Sequence, residues 1–168
     1  MRVLGFDPGL RVTGYGCVDI KPGGRTLVEG GVIRLVTRDE TPPIAPRLVE
    51  LEREAAALIE RLAPELVAVE RLFVHAEHVE TAVKMGHARG VLLLAAARAS
   101  QPIAEVSPAE VKAATAASGR ASKGQMQESI QRIFGLAEPP KPADVADALA
   151  IALCAGERAG SASLESRP

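Results

Sequence analysis

Two short apolar runs in this chain each end on an acid, and that pairing restricts its possible folds more than any other feature. The first is VLGFD, residues 3–7, followed at once by Pro8-Gly9; the second is LVAVE, residues 66–70. Val3, Leu4 and Phe6 read as a buried strand, and Leu66 to Val69 as another. Pro8 biases Asp7 toward extended backbone and Pro8-Gly9 supplies a tight turn, so Asp7 stands at the carboxyl end of its strand and points out of the core. Glu70 repeats the situation. Taken alone, Asp-Pro-Gly is also ordinary turn chemistry, and the choice between the readings depends on which other acids join Asp7.

The rest of the chain supplies a sheet and its helical cover. Val12–Ile20 and Thr26–Val36 flank KPGG, a reversing connection, which gives a three-stranded antiparallel start. Gly14 and Gly16 share one face of the second strand, where a ligand or another backbone can come close, or where packing simply leaves no room. Leu48, Leu51, Ala55, Leu58, Ile59 and Leu62 recur at helical spacing and predict a helix over 46–62. A second helix is expected over 77–98, a short strand at PIAEV, and a helix opened by Ser107 as N-cap with Pro108 in its first turn. TAASGRASKG reads as a small, polar loop before a helix over 123–134. GLAEPPKP is a stiff connector into a closing alanine-rich helix, ADVADALAIALCAGERA. The expectation is one α/β domain, residues 1–158, with a mixed five-stranded sheet flanked by helices, and a disordered tail over 159–168.

At 168 residues one core suffices, and 47% hydrophobic with 24% charged residues is the balance of an ordinary soluble protein. No apolar stretch is long enough for a membrane span and no leader precedes the first strand, so the chain is expected to stay in the cytoplasm. Cys17 and Cys154 lack metal or redox spacing and read as buried small hydrophobes. A net charge of −1 argues against coating nucleic acid through bulk positive charge, so charge has to be read locally. The clearest basic stretch holds Lys112, Arg120, Lys123 and Arg132 against one acid, Glu128.

The closing helix begins with Asp144 and Asp147, which at i and i+3 face the same way. The helix dipole alone would account for Asp144. Asp147 lies where the apolar stripe begins and is harder to dismiss. Four acids thus end a strand or start a helix at the edge of an apolar element. Clustered carboxylates repel, and such a group is stable around cations. Oxygen donors suit magnesium or manganese, and two such ions clamp the attacking and leaving oxygens of an in-line phosphoryl displacement. The chemistry implied is phosphodiester hydrolysis. His75 and His78 look like a zinc pair but have no third ligand at suitable spacing.

The order of a strand ending FDPG, two further strands, VAVER with Phe73 just beyond, and a closing ADVADALAIA helix resembles the RuvC family of Holliday-junction resolvases over about residues 1–156. The resemblance implies an RNase H-like fold of the retroviral integrase superfamily. It also implies a structure-selective endonuclease cutting two opposed strands of a four-way DNA junction symmetrically, during recombination and repair. Carried over residue by residue, Asp7, Glu70, Asp144 and Asp147 become the catalytic metal ligands, holding two Mg2+ per site with Mn2+ able to substitute. Phe73 matches an aromatic position that stacks on a base near the crossover, with core packing as the alternative. Lys112 and Lys123 match lysines near the cleaved phosphate, Lys123 in a catalytic role, where a solvated surface lysine is the plainer reading. Arg120, in the same basic segment, is expected at the DNA as well. Implied partners are the junction, a second copy of the chain in a homodimer, and a branch-migration complex of the RuvA–RuvB type, with no membrane. The competing readings are another RNase H-like nuclease, of the YqgF type or cutting RNA–DNA hybrids, and an actin-like phosphotransferase. The latter clamps nucleotide between two related domains, and this chain has room for one.

Overall fold

The computed structural model describes residues 1–37, 39–72, 79–115 and 122–165, with side chains through Ser161. Phe73, His75, His78 and Arg120 lie outside the described residues. The elements are β1 (Arg2–Asp7), β2 (Val12–Lys21), β3 (Gly24–Arg34), α1 (Ile44–Leu62), β4 (Leu66–Glu70), α2 (Val79–Arg98), β5 (Ile103–Val106), α3 (Pro108–Thr115), α4 (Lys123–Phe134) and α5 (Ala143–Glu165). The strands form one sheet in the order β3-β2-β1-β4-β5. β1–β2 and β2–β3 are antiparallel, while β1–β4 and β4–β5 are parallel, so the sheet is mixed and five-stranded as expected.

β1 sits in the middle of the sheet and is buried on both faces, which is why its sequence shows no polar alternation. Leu4 and Phe6 join Val67 and Val69 under α1 and α2, where Leu51, Leu58, Ile59 and Leu92 close one core. Val3, Val18 and Ala68 face the other way, onto Val111 of α3, Met126 and Ile130 of α4, and the alanine-rich side of α5. Cys17 and Cys154 are free and buried, one in each core.

The helix starts follow the local chemistry read from the sequence. Ser107 Oγ accepts the Glu110 N–H at 3.2 Å while a Glu110 carboxylate oxygen accepts the Ser107 N–H at 2.7 Å, a reciprocal cap with Pro108 in the first turn. Ser122 and Gln125 do the same for α4, and Gly135 ends that helix in the left-handed region at φ 63°. Of the stretch expected to be a tail, residues 159–165 continue α5, while 166–168 lie outside the described residues. A helix already nucleated on a packed alanine face extends through GSAS at little cost per residue, so serine and glycine content alone does not end it.

Gly14 and Gly16 serve backbone packing. A Cβ placed on Gly14 would fall 2.1 Å from the Asp144 carbonyl oxygen, and one on Gly16 would fall 2.7 Å from the Leu149 nitrogen. Gly5, paired with Gly16, would meet the Ala148 carbonyl oxygen at 2.5 Å. These three glycines cut a track across β1 and β2 in which α5 lies with its backbone directly on the sheet. The track fixes where the start of α5 comes to rest, with Asp144 in its first turn and Asp147 one turn further on.

Candidate active site

The parallel register carries Phe6 opposite Val69, so Asp7 and Glu70 come next, side by side at the carboxyl ends of β1 and β4. Alternation along each strand sends both side chains to the face that α5 covers, since Val3 and Gly5 on β1 and Leu66 and Ala68 on β4 share it. On the other side of β1, Asp7 pairs with Gly14, on which the Asp144 carbonyl rests. Strand ends, glycine track and helix start therefore converge. Asp7, Glu70, Asp144 and Asp147 line one cleft of about 990 Å3, with Lys112 of α3 and Lys123 of α4 on its rim.

The electrostatics reflect that proximity. Burial, then the charges of Asp147, Glu70 and Asp144, push the Asp7 carboxyl up to about 7, against the pull of Lys123. Burial and Asp147 raise Glu70 to about 6, with Lys112 acting in the opposite direction. Burial also lifts Asp147 above the ordinary carboxylate range, opposed by Lys123 and reinforced by Asp144. Acids that resist ionisation in one another's company are relieved by a cation, and a donor set made only of carboxylate oxygens suits a hard divalent ion. Among the described residues no three acids, histidines or cysteines form a ready-made metal cage. Magnesium requires none, because it takes one or two carboxylates and completes its shell with water and substrate phosphate. The residues present fit that mode of binding.

Lys123 occupies the first turn of α4, which holds no acid and where the helix dipole disfavours a cation. Its charge acts instead on Asp7 and Asp147. Lys112 acts on Glu70. Both lysines thus share the cleft with the acids.

Three supporting residues escaped that reading. Thr13, fully buried, accepts the Gly9 N–H at 3.2 Å and donates its hydroxyl to the Gly9 carbonyl at 2.7 Å, closing the turn that follows Asp7. Arg47 of α1 donates from Nη1 to the Leu10 carbonyl in the same turn at 2.8 Å. Arg89 of α2 donates from Nε to the Glu70 carbonyl at 3.1 Å and pairs with Glu105 of β5, which steadies the end of β4. A threonine four residues beyond a turn glycine is a signal that could have flagged Thr13; the two arginines act across long sequence separations and leave no local pattern.

A mixed sheet in this order, covered by helices on both faces and carrying acids at the carboxyl edge of its two central parallel strands, defines a nuclease of the RNase H-like fold. More narrowly, the chain belongs to the family described as crossover junction endodeoxyribonuclease RuvC, whose model matches residues 3–155. A crossover junction endodeoxyribonuclease RuvC of Moorella thermoacetica is 45% identical over 154 residues, covering 92% of this chain and 90% of that one. The structure of Thermus thermophilus RuvC superposes with a TM-score of 0.83 at 34% identity, over 96% of this chain and 97% of that one. The same protein in complex with Holliday junction substrate gives a TM-score of 0.82 at 33% identity, over 96% of both chains.

Proposed function

We propose that this chain resolves four-way DNA junctions by metal-dependent hydrolysis of phosphodiester bonds in recombination and repair. The observation that carries the proposal is a single cleft in which four carboxylates and two lysines face the same space. The names of the relatives, and the likeness to the Thermus protein held in a complex with Holliday junction substrate, support the junction as substrate.

Asp7, Glu70, Asp144 and Asp147 are the residues that would hold magnesium. Two such ions bound there would supply Lewis-acid activation of water and stabilisation of the leaving oxygen, and manganese, which shares the preference for oxygen ligands, would substitute. The chain's own part is positioning. Asp7 and Glu70 are fixed by strand register, and Asp144 and Asp147 by the glycine track under α5. Lys123 places a positive charge where charge builds on the phosphate as it reacts. Lys112, beside Glu70, holds the strand by its phosphates and carries no sequence information. Phe73 stacks on a base at the crossover, supported by the resemblance of sequence, and Arg120 contacts the backbone, supported by its place in the basic segment.

The junction is approximately two-fold symmetric and one chain carries one such cleft, so the working form is an isologous homodimer. It acts in the cytoplasm with a branch-migration complex of the RuvA–RuvB type. No helix of the described residues is long and apolar enough to cross a membrane. The test is one gel: labelled four-way junction, linear duplex and RNA–DNA hybrid incubated with the protein in magnesium. Paired symmetric cuts confined to the junction are expected; equal cutting of duplex marks a generic nuclease, and preference for the hybrid an enzyme acting on RNA.

A further inference from the structure

Most of the described arginines hold a carboxylate. Arg2 grips Asp19 through Nε and Nη2, Arg53 grips Glu50 through the same edge, and Arg61 grips Glu29. Among the described residues, Arg11, Arg34, Arg47 and Arg132 form no ion pair. Two of these four, Arg11 and Arg47, line the cleft that holds the acids, yet neither pairs with one.

Arg47 is also half-engaged. Its Nη1 is anchored on the Leu10 carbonyl at 2.8 Å, while its Nε is buried without a hydrogen-bond partner. Buried donors are almost always satisfied, and an exception calls for a cause. The Nε–Nη2 edge of Arg47 has no hydrogen-bond partner among the described residues, and it is the edge with which Arg2 and Arg53 each take two oxygens of one carboxylate. A phosphodiester presents two such oxygens in matching geometry, and a guanidinium already anchored at its third nitrogen loses little freedom on binding it. Arg11 belongs to the turn that Arg47 holds, one residue beyond Leu10, so the two guanidinium groups serve one stretch of the cleft.

We infer that Arg11 and Arg47 form a phosphate-binding subsite for the strand being cut, separate from Lys112 and Lys123. The lysines come from α3 and α4, on the layer that covers one face of the sheet; Arg47 comes from α1, on the layer that covers the other. The acids stand at the strand ends on the lysines' side of the sheet, and the one cleft reaches from them to the two arginines. A strand crossing the acids is thereby held at phosphates on both sides of the bond to be cut, and the arginine side sets how far the strand advances. The inference rests on the reading of this cleft as a DNA-cutting site.

Binding of labelled four-way junction in calcium, measured across a salt series, tests it. Each phosphate contact contributes about 0.9 to the slope of log affinity against log salt, so Arg11→Ala and Arg47→Ala should each flatten the slope by about one and the double variant by about two. Arg47→Lys should keep the slope while weakening binding, because the charge stays and the fork is lost. A single methylphosphonate moved along the strand should weaken the wild type at one position near the cut and leave the double variant indifferent there. Arg53→Ala, which removes an equal charge outside the cleft, should match the wild type. Among the described residues the Arg11 guanidinium makes no hydrogen bond, and its backbone bond to the Leu35 N–H survives truncation of the side chain, so its variant keeps the test decisive even where Arg47→Ala disturbs the turn. An unchanged slope in Arg11→Ala and Arg47→Lys binding as tightly as wild type overturn the inference. A wild type with no preference for junction over duplex overturns the junction reading alone, since the same slopes measured on duplex still decide the subsite.

Discussion

Asp7 is held against its own preference for water: burial and three neighbouring acids keep its carboxyl at about 7. Its folded value lies above the ordinary 3.8, so the folded chain takes up a proton more readily than the unfolded chain. The resulting penalty is full above about pH 7 and vanishes below about pH 4, where Asp7 is protonated in both states. Asp7→Asn removes that charge at nearly constant volume. In metal-free buffer at pH 8 the variant should be more stable than wild type by about 1–3 kcal/mol, and the gap should close as pH falls to 4. Denaturant melts in EDTA at the two pH values measure this. The same variant should lose cleavage by about a hundredfold or more, because the proposed function uses this acid to hold metal at the reacting phosphate and the fold does not need it. Equal stability at pH 8 would show that the acids do not burden the fold.

Element packing converts these residues into a site, and the sequence revealed that packing unevenly. β1 and β4 could be read because a central strand is buried on both faces and its terminal acid breaks the apolar run; Asp144 and Asp147 could be read because helical spacing puts them together. Gly14 and Gly16 left two readings open, since a missing side chain looks the same whether a ligand or a helix approaches, and the Asp144 carbonyl on Gly14 decides for the helix. Gly14→Ala should therefore push the start of α5 off the sheet, costing about 1–3 kcal/mol and at least about tenfold in cleavage. Gly160→Ala, which meets nothing within 4 Å, should be neutral or slightly stabilising in the same melts. Contacts far apart in sequence left no trace to read, as in the clamp of Arg61 on Glu29, which also accepts the Tyr15 hydroxyl at 2.8 Å. Arg61 first and Tyr15 second hold the Glu29 carboxyl down at about 2, below its ordinary 4.5. A lowered carboxyl stabilises the fold above about pH 4.5 and loses that contribution as pH falls through 2. Glu29→Gln should cost up to about 1 kcal/mol at pH 7, discounted for solvent screening, and the difference should shrink on acidification in urea melts.

At the scale of the whole molecule, the proposed homodimer needs a self-complementary surface, and α2 offers one. Ala88, Leu92, Ala95 and Ala96 turn one side of α2 onto the sheet. The other side presents Val83 and Leu94, both large, apolar and about half exposed, with Gly90 between them open enough that a Cβ there would touch nothing. A helix buried on one side and apolar on the other is suited to a second copy of itself, and the small residue at position 90 lets the two backbones come close. Resolution needs matched cuts in two opposed strands, so loss of pairing has a signature distinct from loss of chemistry. Sedimentation at micromolar concentration should give roughly twice the 17.6 kDa chain mass. Leu94→Glu should shift it to one chain mass, and the variant should cut junctions as single, unpaired nicks while Asp7 and its neighbours remain intact. A wild type that sediments as one chain and still makes paired cuts would move assembly onto the DNA; a Leu94→Glu protein that stays dimeric would move the interface off α2.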